Sequence, residues 1–520
     1  MADTLSSHSS GLGTGHNADA WRVFDLRAEN ELRLEVSDDT QSTAQLRLLR
    51  GTAEVLGREL ALHQSFDLRP GSRLGVFTWH GCRVEVRGSF HVPPYIAEET
   101  PNPLVMNIHA VLQRQREQSF RTGRDGRSNK TPRVAVVGPH DSGKLTVAAT
   151  LAAYALRHLG ARLAWLDLDP GAGFGPCSRL TAVPGALVMM SLHRPLLALE
   201  DAAAFERPIC WYFGHFYPHD NAKSYLTLIG AIRRQLDAWM TEVDAKAAKA
   251  GDQGADTEAP PLYNAGCIAV LPAWTETRES FDLLADALHE LSPTCVVVLE
   301  SERLYALLRQ SYDDRVNTDT NQRVDLVRIP KSGGVVPRDT SIRRAERAKR
   351  FRSYFYGLHG ELHPHPLWLP TADILLYRIC ERALAPLTAL PLGETFPDQE
   401  SLEIEFLTEL QEEMLHTVGA VSQASEQELA ARLPNVISGA SAAPPAAEAS
   451  SHIDAPSTVW ERPHLDDPTI VARMVGTPVF GFVQITAVDR FRGRLRILSP
   501  SPGKLPSKLL QVSTDLRWIE

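Results

Sequence analysis

Residues 138–146 read Gly138-Pro139-His140-Asp141-Ser142-Gly143-Lys144-Leu145-Thr146. Gly138, Gly143 and Lys144 fit the phosphate-loop pattern G-x-x-x-x-G-K. The glycines let backbone N–H groups approach phosphates closely, and the lysine reaches the β and γ oxygens. The next residue should be Ser or Thr, whose hydroxyl ligates Mg²⁺. Here it is Leu145. Chance supplies G-x4-G-K fairly easily, because glycine makes up about 7% of residues in ordinary proteins. Context decides: this copy must follow a strand and open a helix.

It does both. Arg133-Val134-Ala135-Val136-Val137 is a compact apolar strand pattern, and an Ala/Leu-rich helical pattern follows the loop to about Leu159. Leu163–Leu168, Cys267–Leu271 and Cys295–Leu299 read as further buried strands, with helical stretches such as Arg278–Leu291 between them. Repeated βα units with apolar strands predict an α/β P-loop NTPase central domain, a parallel sheet covered by helices on both faces. Asp244–Pro261 reads as a loop insertion within it.

Upstream, Leu32–Val36, Gln45–Leu49 and Arg83–Arg87 alternate with period two, which predicts an N-terminal β-sandwich-like domain. Residues 1–20 read as a disordered tail, 21–120 as the β domain with a helix over 104–120, and 131–357 as the central domain. Residues 358–520 read as a mixed α/β C-terminal domain, with an Ala/Ser/Pro/Glu-rich disordered insertion at 419–457.

Around the loop, Asp167 and Asp169 share one strand face at the carboxyl end of the second strand. A carboxylate placed there can face a metal or an attacking nucleophile. Two solvated acids at a capped strand end are the alternative. Lys331-Ser332-Gly333-Gly334 leads to Arg338, Arg343, Arg344, Arg347, Arg350 and Arg352. Arg343, Arg347 and Arg350 follow i, i+4, i+7 spacing and share one helix face. They form either a lid over a γ-phosphate or a solvated basic face. Trp274, after the Cys267 strand, could stack on a base or simply pack. His363-Pro364-His365 has no partner ligands and reads as structural.

The 520 residues carry a formal net charge of −9, with 43% hydrophobic and 22% charged residues. That composition describes an ordinary globular chain and argues against wholesale coating of nucleic acid. The six cysteines (Cys82, Cys177, Cys210, Cys267, Cys295, Cys380) form no C-x-x-C pair, so neither a zinc site nor a disulfide framework is expected. The first residues lack a signal-peptide core, and no apolar run approaches a membrane span. An intracellular chain without a membrane partner is expected.

At these residues the sequence resembles the Clp-type polyribonucleotide 5′-hydroxyl kinase family of mRNA cleavage and polyadenylation. The likeness runs through Val76–Cys82, the loop at 138–146, Leu166–Gly171 and Val297–Tyr305. It continues in Pro330–Val336, Tyr354–Gly357 and Leu498–Pro502. The resemblance implies three domains and ATP held by the loop, residues Gly138 to Thr146, with Asp25 of the N-terminal domain at the base. It implies roles for Lys144, Asp169, Arg343 and Arg347 in an active member, with Asp169 as the metal-side carboxylate and Trp274 as an RNA-clamping ring. Whether Mg²⁺ is bound stays open.

Two departures stand out. Active relatives carry Ser or Thr in place of Leu145, and Asp-x-Gly-Gln in place of Asp169-Pro170-Gly171-Ala172. The fungal branch of the family contains similarly degenerate members that bind ATP as structural subunits. Two readings result. One is a non-catalytic, nuclear, ATP-binding subunit of the pre-mRNA 3′-end cleavage complex. Its partners would be the scaffold subunit that reads the RNA polymerase II tail and other 3′-end processing subunits, with RNA contact possible. The other is an active RNA 5′-hydroxyl kinase. A GTPase-like switch is disfavoured by the lack of an N-K-x-D motif beside a later strand.

Overall fold

The computed structural model describes residues 20–38, 44–124, 131–171, 183–194, 205–252, 263–316, 324–357, 360–381, 402–425, 464–465 and 467–519. The chain divides into two compact units, Met1–Pro103 and Leu104–Glu520.

The first unit is built by period-two alternation. In Glu31–Val36, Leu32, Leu34 and Val36 are buried and the residues between them are not. One antiparallel sheet orders Arg22–Leu26, Cys82–Arg87, Ala44–Gly51 and Ser65–Leu68. The other orders Arg58–Glu59, Glu54–Val55, Arg73–Phe77, Glu31–Val36 and Phe90–Ala97. Inward residues of both sheets, among them Leu32, Leu34, Leu46, Val76 and Val84, form one apolar cluster. This is the expected β-sandwich.

The second unit is organised by five parallel strands in the order Asp325–Ile329, Cys295–Leu299, Arg133–Gly138, Tyr263–Ala273, Ala161–Asp167. The Arg133–Gly138 strand lies at their centre. Its Val134 and Val136 enter one apolar cluster, with the Lys144–Ala155 helix, while Ala135 and Val137 enter another, with the helices Ala222–Asp252 and Arg278–Leu291. A strand buried on both faces needs apolar residues at every position, which is why this segment reads as a continuous run.

Two antiparallel strands, Ala186–Leu192 and Phe205–Tyr212, extend the sheet beyond Ala161–Asp167. The described strands beyond residue 360 continue it rather than standing apart. Cys210 pairs with Val479, the Trp211 indole N–H donates to the Gly476 carbonyl at 3.0 Å, and the buried Tyr212 hydroxyl donates to the Val418 carbonyl at 2.6 Å.

Three expectations about boundaries need correction. The helix over 104–120, assigned to the β domain, belongs to Asn102–Arg124 and packs Val105, Ile108 and Leu112 into the second unit's core. Its Arg116 is buried and donates from Nε to the Ala265 carbonyl at 2.8 Å. Burial pulls the Arg116 pKa down to about 10. The insertion at 244–261 begins as helix, because Ala222–Asp252 runs on through an Ala/Lys-rich stretch of good helix formers. Residues 253–261 lie outside the described residues. The segment 419–457 begins with a buried strand, Val418–Ser422, paired with Val479–Asp489 on one side and Leu509–Gln511 on the other. Its small residues read as low complexity, but Gly419 sits against the Gln511 backbone, where a Cβ would come within 2.8 Å of the carbonyl oxygen. Residues 426–457 and the tail 1–19 lie outside the described residues.

The arginine-bearing segment forms the helix Thr340–Tyr356, capped by Asp339, whose carboxylate accepts the Ile342 N–H. Its final turns are pinned by the far end of the chain. Trp518 stacks on Phe351 and on Phe355, with ring centroids 5.8 and 5.5 Å apart. The Tyr354 hydroxyl accepts the Phe482 N–H at 3.0 Å. Trp518→Ala is therefore expected to lower the unfolding free energy by about 3–5 kcal/mol, read from the denaturant midpoint at constant slope.

Candidate nucleotide site

The loop follows the central strand and runs directly into the Lys144–Ala155 helix. Gly143 has φ +89°, a conformation that favours glycine, and its neighbour Asp141 also takes a positive φ of 51°. A Cβ at Gly138 would stand 3.0 Å from both the Leu299 carbonyl oxygen and Ser142 Oγ, so glycine is required where the loop leaves the strand. Two bonds hold the turn: Ser142 Oγ donates to the Pro139 carbonyl at 2.9 Å, and the Trp274 N–H to the Gly138 carbonyl at 3.1 Å. Among the described residues, the N–H groups of His140, Asp141, Ser142, Gly143, Lys144 and Leu145 meet no protein acceptor. Such a row of free donors at a helix N-terminus suits an anion.

Lys144 is buried, and its ammonium donates to the carbonyls of Gly138 (3.1 Å) and Pro139 (2.9 Å). Burial lowers its pKa to about 8, opposed by Asp169 and Asp141 and reinforced by Arg343. Leu145 packs half-buried against the core, and Thr146 is exposed. Neither presents a hydroxyl at the Mg²⁺-ligand position of the motif.

Asp169 follows the end of the Ala161–Asp167 strand, and its Oδ1 accepts the Gly171 N–H at 3.1 Å. Burial raises its pKa, against the pull of Lys144, His140 and Arg350. Asp167 is buried more deeply, and burial pushes its carboxyl up to about 7; Arg350 opposes the rise and Asp169 adds to it. The two acids therefore interact at one place, instead of standing as solvated ends.

The Thr340–Tyr356 helix brings its arginines to this cluster in three different ways. Arg343 donates from Nη2 to Asp141 Oδ2 at 3.0 Å, and the Arg338 N–H donates to the same oxygen at 2.9 Å. Burial alone would raise the Asp141 carboxyl, but these two groups outweigh it and hold its pKa below the usual value. Arg347 lies over the Phe216 ring, 4.4 Å from its centroid. Arg350 is buried, with Asp167 and Asp169 within its electrostatic reach. His140, half-buried, has its pKa lowered first by burial and then by Arg343.

Trp274 is 4% exposed and packs in the core, its indole N–H meeting no partner, so its ring is not presented for stacking in this conformation. Its backbone stays beside the loop, the N–H donating to the Gly138 carbonyl. Asp25 lies in the first unit, exposed and held by Arg83 through two bonds of 2.6 and 2.8 Å. Ala172 lies outside the described residues. Sequence reading missed Arg350 as the counter-charge to Asp167, Asp141 as the anchor for Arg343, and Phe216. The i, i+4, i+7 spacing of Arg343, Arg347 and Arg350 hinted at the first; nothing in the sequence pointed to Phe216.

The arrangement can hold a polyphosphate. Free N–H donors, a buried ammonium and Arg343 converge on the loop, which fits a nucleoside triphosphate. It fits Mg²⁺ poorly: Leu145 stands where the motif places a hydroxyl ligand, and no group of three metal-ligating His, Cys, Asp or Glu side chains occurs among the described residues.

Comparison with known proteins matches the chain to the N-terminal beta-sandwich domain of polyadenylation factor at residues 25–119. It matches the mRNA cleavage and polyadenylation factor CLP1 P-loop at 138–251 and 256–357. It matches pre-mRNA cleavage complex II protein Clp1 at 362–520. The chain is 32% identical to a Protein CLP1 homolog of Nematostella vectensis, covering 95% of this chain and 96% of that one. It is 31% identical to the polyribonucleotide 5′-hydroxyl-kinase Clp1 of Gallus gallus, covering 96% of each, and 30% identical to that of Homo sapiens, again over 96% of each. Among solved structures, wild-type Clp1p in complex with Pcf11p has the same fold, with a TM-score of 0.66 at 18% identity, over 96% of this chain and 99% of that one.

The lowered Lys144 pKa has a measurable consequence. Bound phosphates favour the charged ammonium, so the pKa rises on binding. Affinity for ATP should be flat below about pH 8 and fall as pH rises through that value. Calorimetry at pH 8.5 in buffers of different ionisation enthalpy should detect proton uptake, absent in Lys144→Met.

Proposed function

The chain belongs to the Clp1 family, and from that premise we propose that it is a non-catalytic, ATP-binding subunit of the nuclear pre-mRNA 3′-end cleavage machinery. Leu145 carries the reading. It puts apolar surface where a dehydration-averse ion needs a hard oxygen. Thr146 cannot replace the missing hydroxyl, since one step along a helix rotates a side chain by about 100°. Ala172 adds a second loss in sequence, where active relatives carry glutamine.

What remains is a cradle. The N–H groups of His140 to Leu145 and the Lys144 ammonium would hold the β and γ phosphates, and Arg343 would exchange Asp141 for phosphate oxygen. ATP supplies the dense negative charge that the free N–H groups of the loop lack a protein partner for. A ligand at 100 times its Kd adds about 2.7 kcal/mol to the bound fold. Against a total stability of about 5–15 kcal/mol, that is a substantial structural contribution. The partner proposed for the assembled chain is a scaffold subunit that binds the RNA polymerase II tail; Pcf11p, seen bound to the structural neighbour Clp1p, supports this choice.

A second reading is favoured by one observation: Asp169 and Arg343 both lie within electrostatic reach of Lys144. In a working RNA 5′-hydroxyl kinase, the name its vertebrate relatives carry, Asp169 would orient or deprotonate the 5′-hydroxyl. Lys144 and Arg343 would stabilise charge on the transferring group.

Incubation of the full chain with 5′-hydroxyl RNA, labelled ATP and Mg²⁺ separates the two. The proposal expects no transfer and ATP that co-purifies; stoichiometric 5′-labelling abolished by Lys144→Ala would overturn it. Leu145→Ser combined with Ala172→Gln should strengthen the Mg²⁺ dependence of ATP binding. Titration of ATP with and without Mg²⁺ checks this, and an unchanged Mg²⁺ dependence would refute the account of the site.

A further inference from the structure

Away from the nucleotide site, the strand Arg494–Ser499 pairs on one side with His365–Pro370 and on the other with Val479–Asp489. The inward residues Leu367, Leu369, Leu495 and Ile497 lie in one apolar cluster. The outward register places Trp368 opposite Arg496, and Arg494 opposite both Pro370 and Asp489. The turn beyond it reads Arg490-Phe491-Arg492-Gly493.

This face is apolar and cationic in a way the fold does not need. Phe491 is 105% exposed and Trp368 is 45% exposed. The Phe491 turn is fixed, because the Gly493 carbonyl accepts both the Thr371 N–H at 2.9 Å and the Thr371 hydroxyl at 3.0 Å. The Arg494 guanidinium lies 4.5 Å from the Trp368 ring centroid. Asp489 is neutralised locally, accepting the Arg492 N–H and the Arg494 Nε–H, each at 3.1 Å. Arg490 meets Glu412 at 3.6 Å with both side chains exposed, a contact of little strength. The side chains of Arg492 and Arg496 have no ion pair among the described residues. Asp373, in the adjoining Thr371–Asp373 turn, is a further acid nearby.

We propose that this Trp368–Phe491 arginine face binds single-stranded RNA, using residues that take no part in the nucleotide site. Exposed aromatic faces accept unstacked bases, and guanidinium groups set between them track the phosphate backbone. The arginines are gathered locally in a chain whose net charge is −9, which makes this face complementary to a polyanion. An acidic peptide could satisfy the arginines but would leave the Phe491 ring without a flat partner.

The test uses the full chain, saturating ATP, and a short single-stranded RNA carrying a 5′-phosphate and a 3′-fluorophore, read by anisotropy. Phe491→Ala should weaken binding about fivefold or more, and Phe491→Trp should restore it. Arg492→Ala with Arg496→Ala should reduce the salt dependence of binding. ATP affinity should be unchanged in all three, since the substituted side chains are surface groups. RNA affinity unchanged in both the Phe491→Ala and the double-arginine variants would overturn the proposal. Displacement of the RNA by an equal concentration of polyglutamate would overturn it in favour of an acidic protein partner.

Discussion

A lysine ammonium can be buried only if something replaces its water. The second unit is arranged around that requirement at Lys144. Two carbonyls of its own loop receive the ammonium directly. Asp169 and Asp141 supply opposing charge from the neighbouring strand end and from the loop. Each of those acids then needs compensation of its own. Asp141 finds it in Arg343 and the Arg338 N–H, and Asp167 and Asp169 find it in Arg350. The arginine helix thus closes over the loop because of a chain of charge balance that starts at Lys144. The parallel strands supply the floor on which these groups converge.

Much of this was legible in the sequence, and for a physical reason. A strand buried on both faces must be apolar at every position, and a phosphate loop must have glycine where its backbone turns. Both constraints write themselves into few residue types at fixed spacing, as in Arg133–Val137 and Gly138–Lys144. The alternation of Glu31–Val36 announced the sandwich in the same way. Long-range pairings left no such mark. Arg350 facing Asp167, or Phe216 under Arg347, depends on elements distant in sequence. Composition misled at both insertions: Ala and Lys continue a helix as readily as they fill a loop, and the small residues of Val418–Ser422 make a strand because Gln511 and Leu510 lie beside them. Trp274 shows the limit of reading one side chain by position, since its backbone sits at the loop while its ring packs into the core.

Residues 358–520 also change how the central region is understood. Through Cys210 and Val479 they add strands to the same sheet, and Trp211 and Tyr212 spend their polar atoms on backbone carbonyls of that region. Family boundaries near residue 360 therefore mark a change in sequence type, while the hydrogen-bonded sheet passes through them without a break.

The stack of Trp518 on Phe351 and Phe355 gives the arginine helix two unequal ends. Its last turns are cemented into aromatic packing, whereas its first turns touch the loop through Asp141 and, farther along, the Phe216 ring through Arg347. A beam clamped at one end cannot swing as a door does. Any adjustment to what lies in the loop has to be taken up as bending near Arg343 and Arg347, or by their long side chains alone. The third-from-last residue of the chain thereby sets the stiffness of a site assembled from residues hundreds of positions earlier.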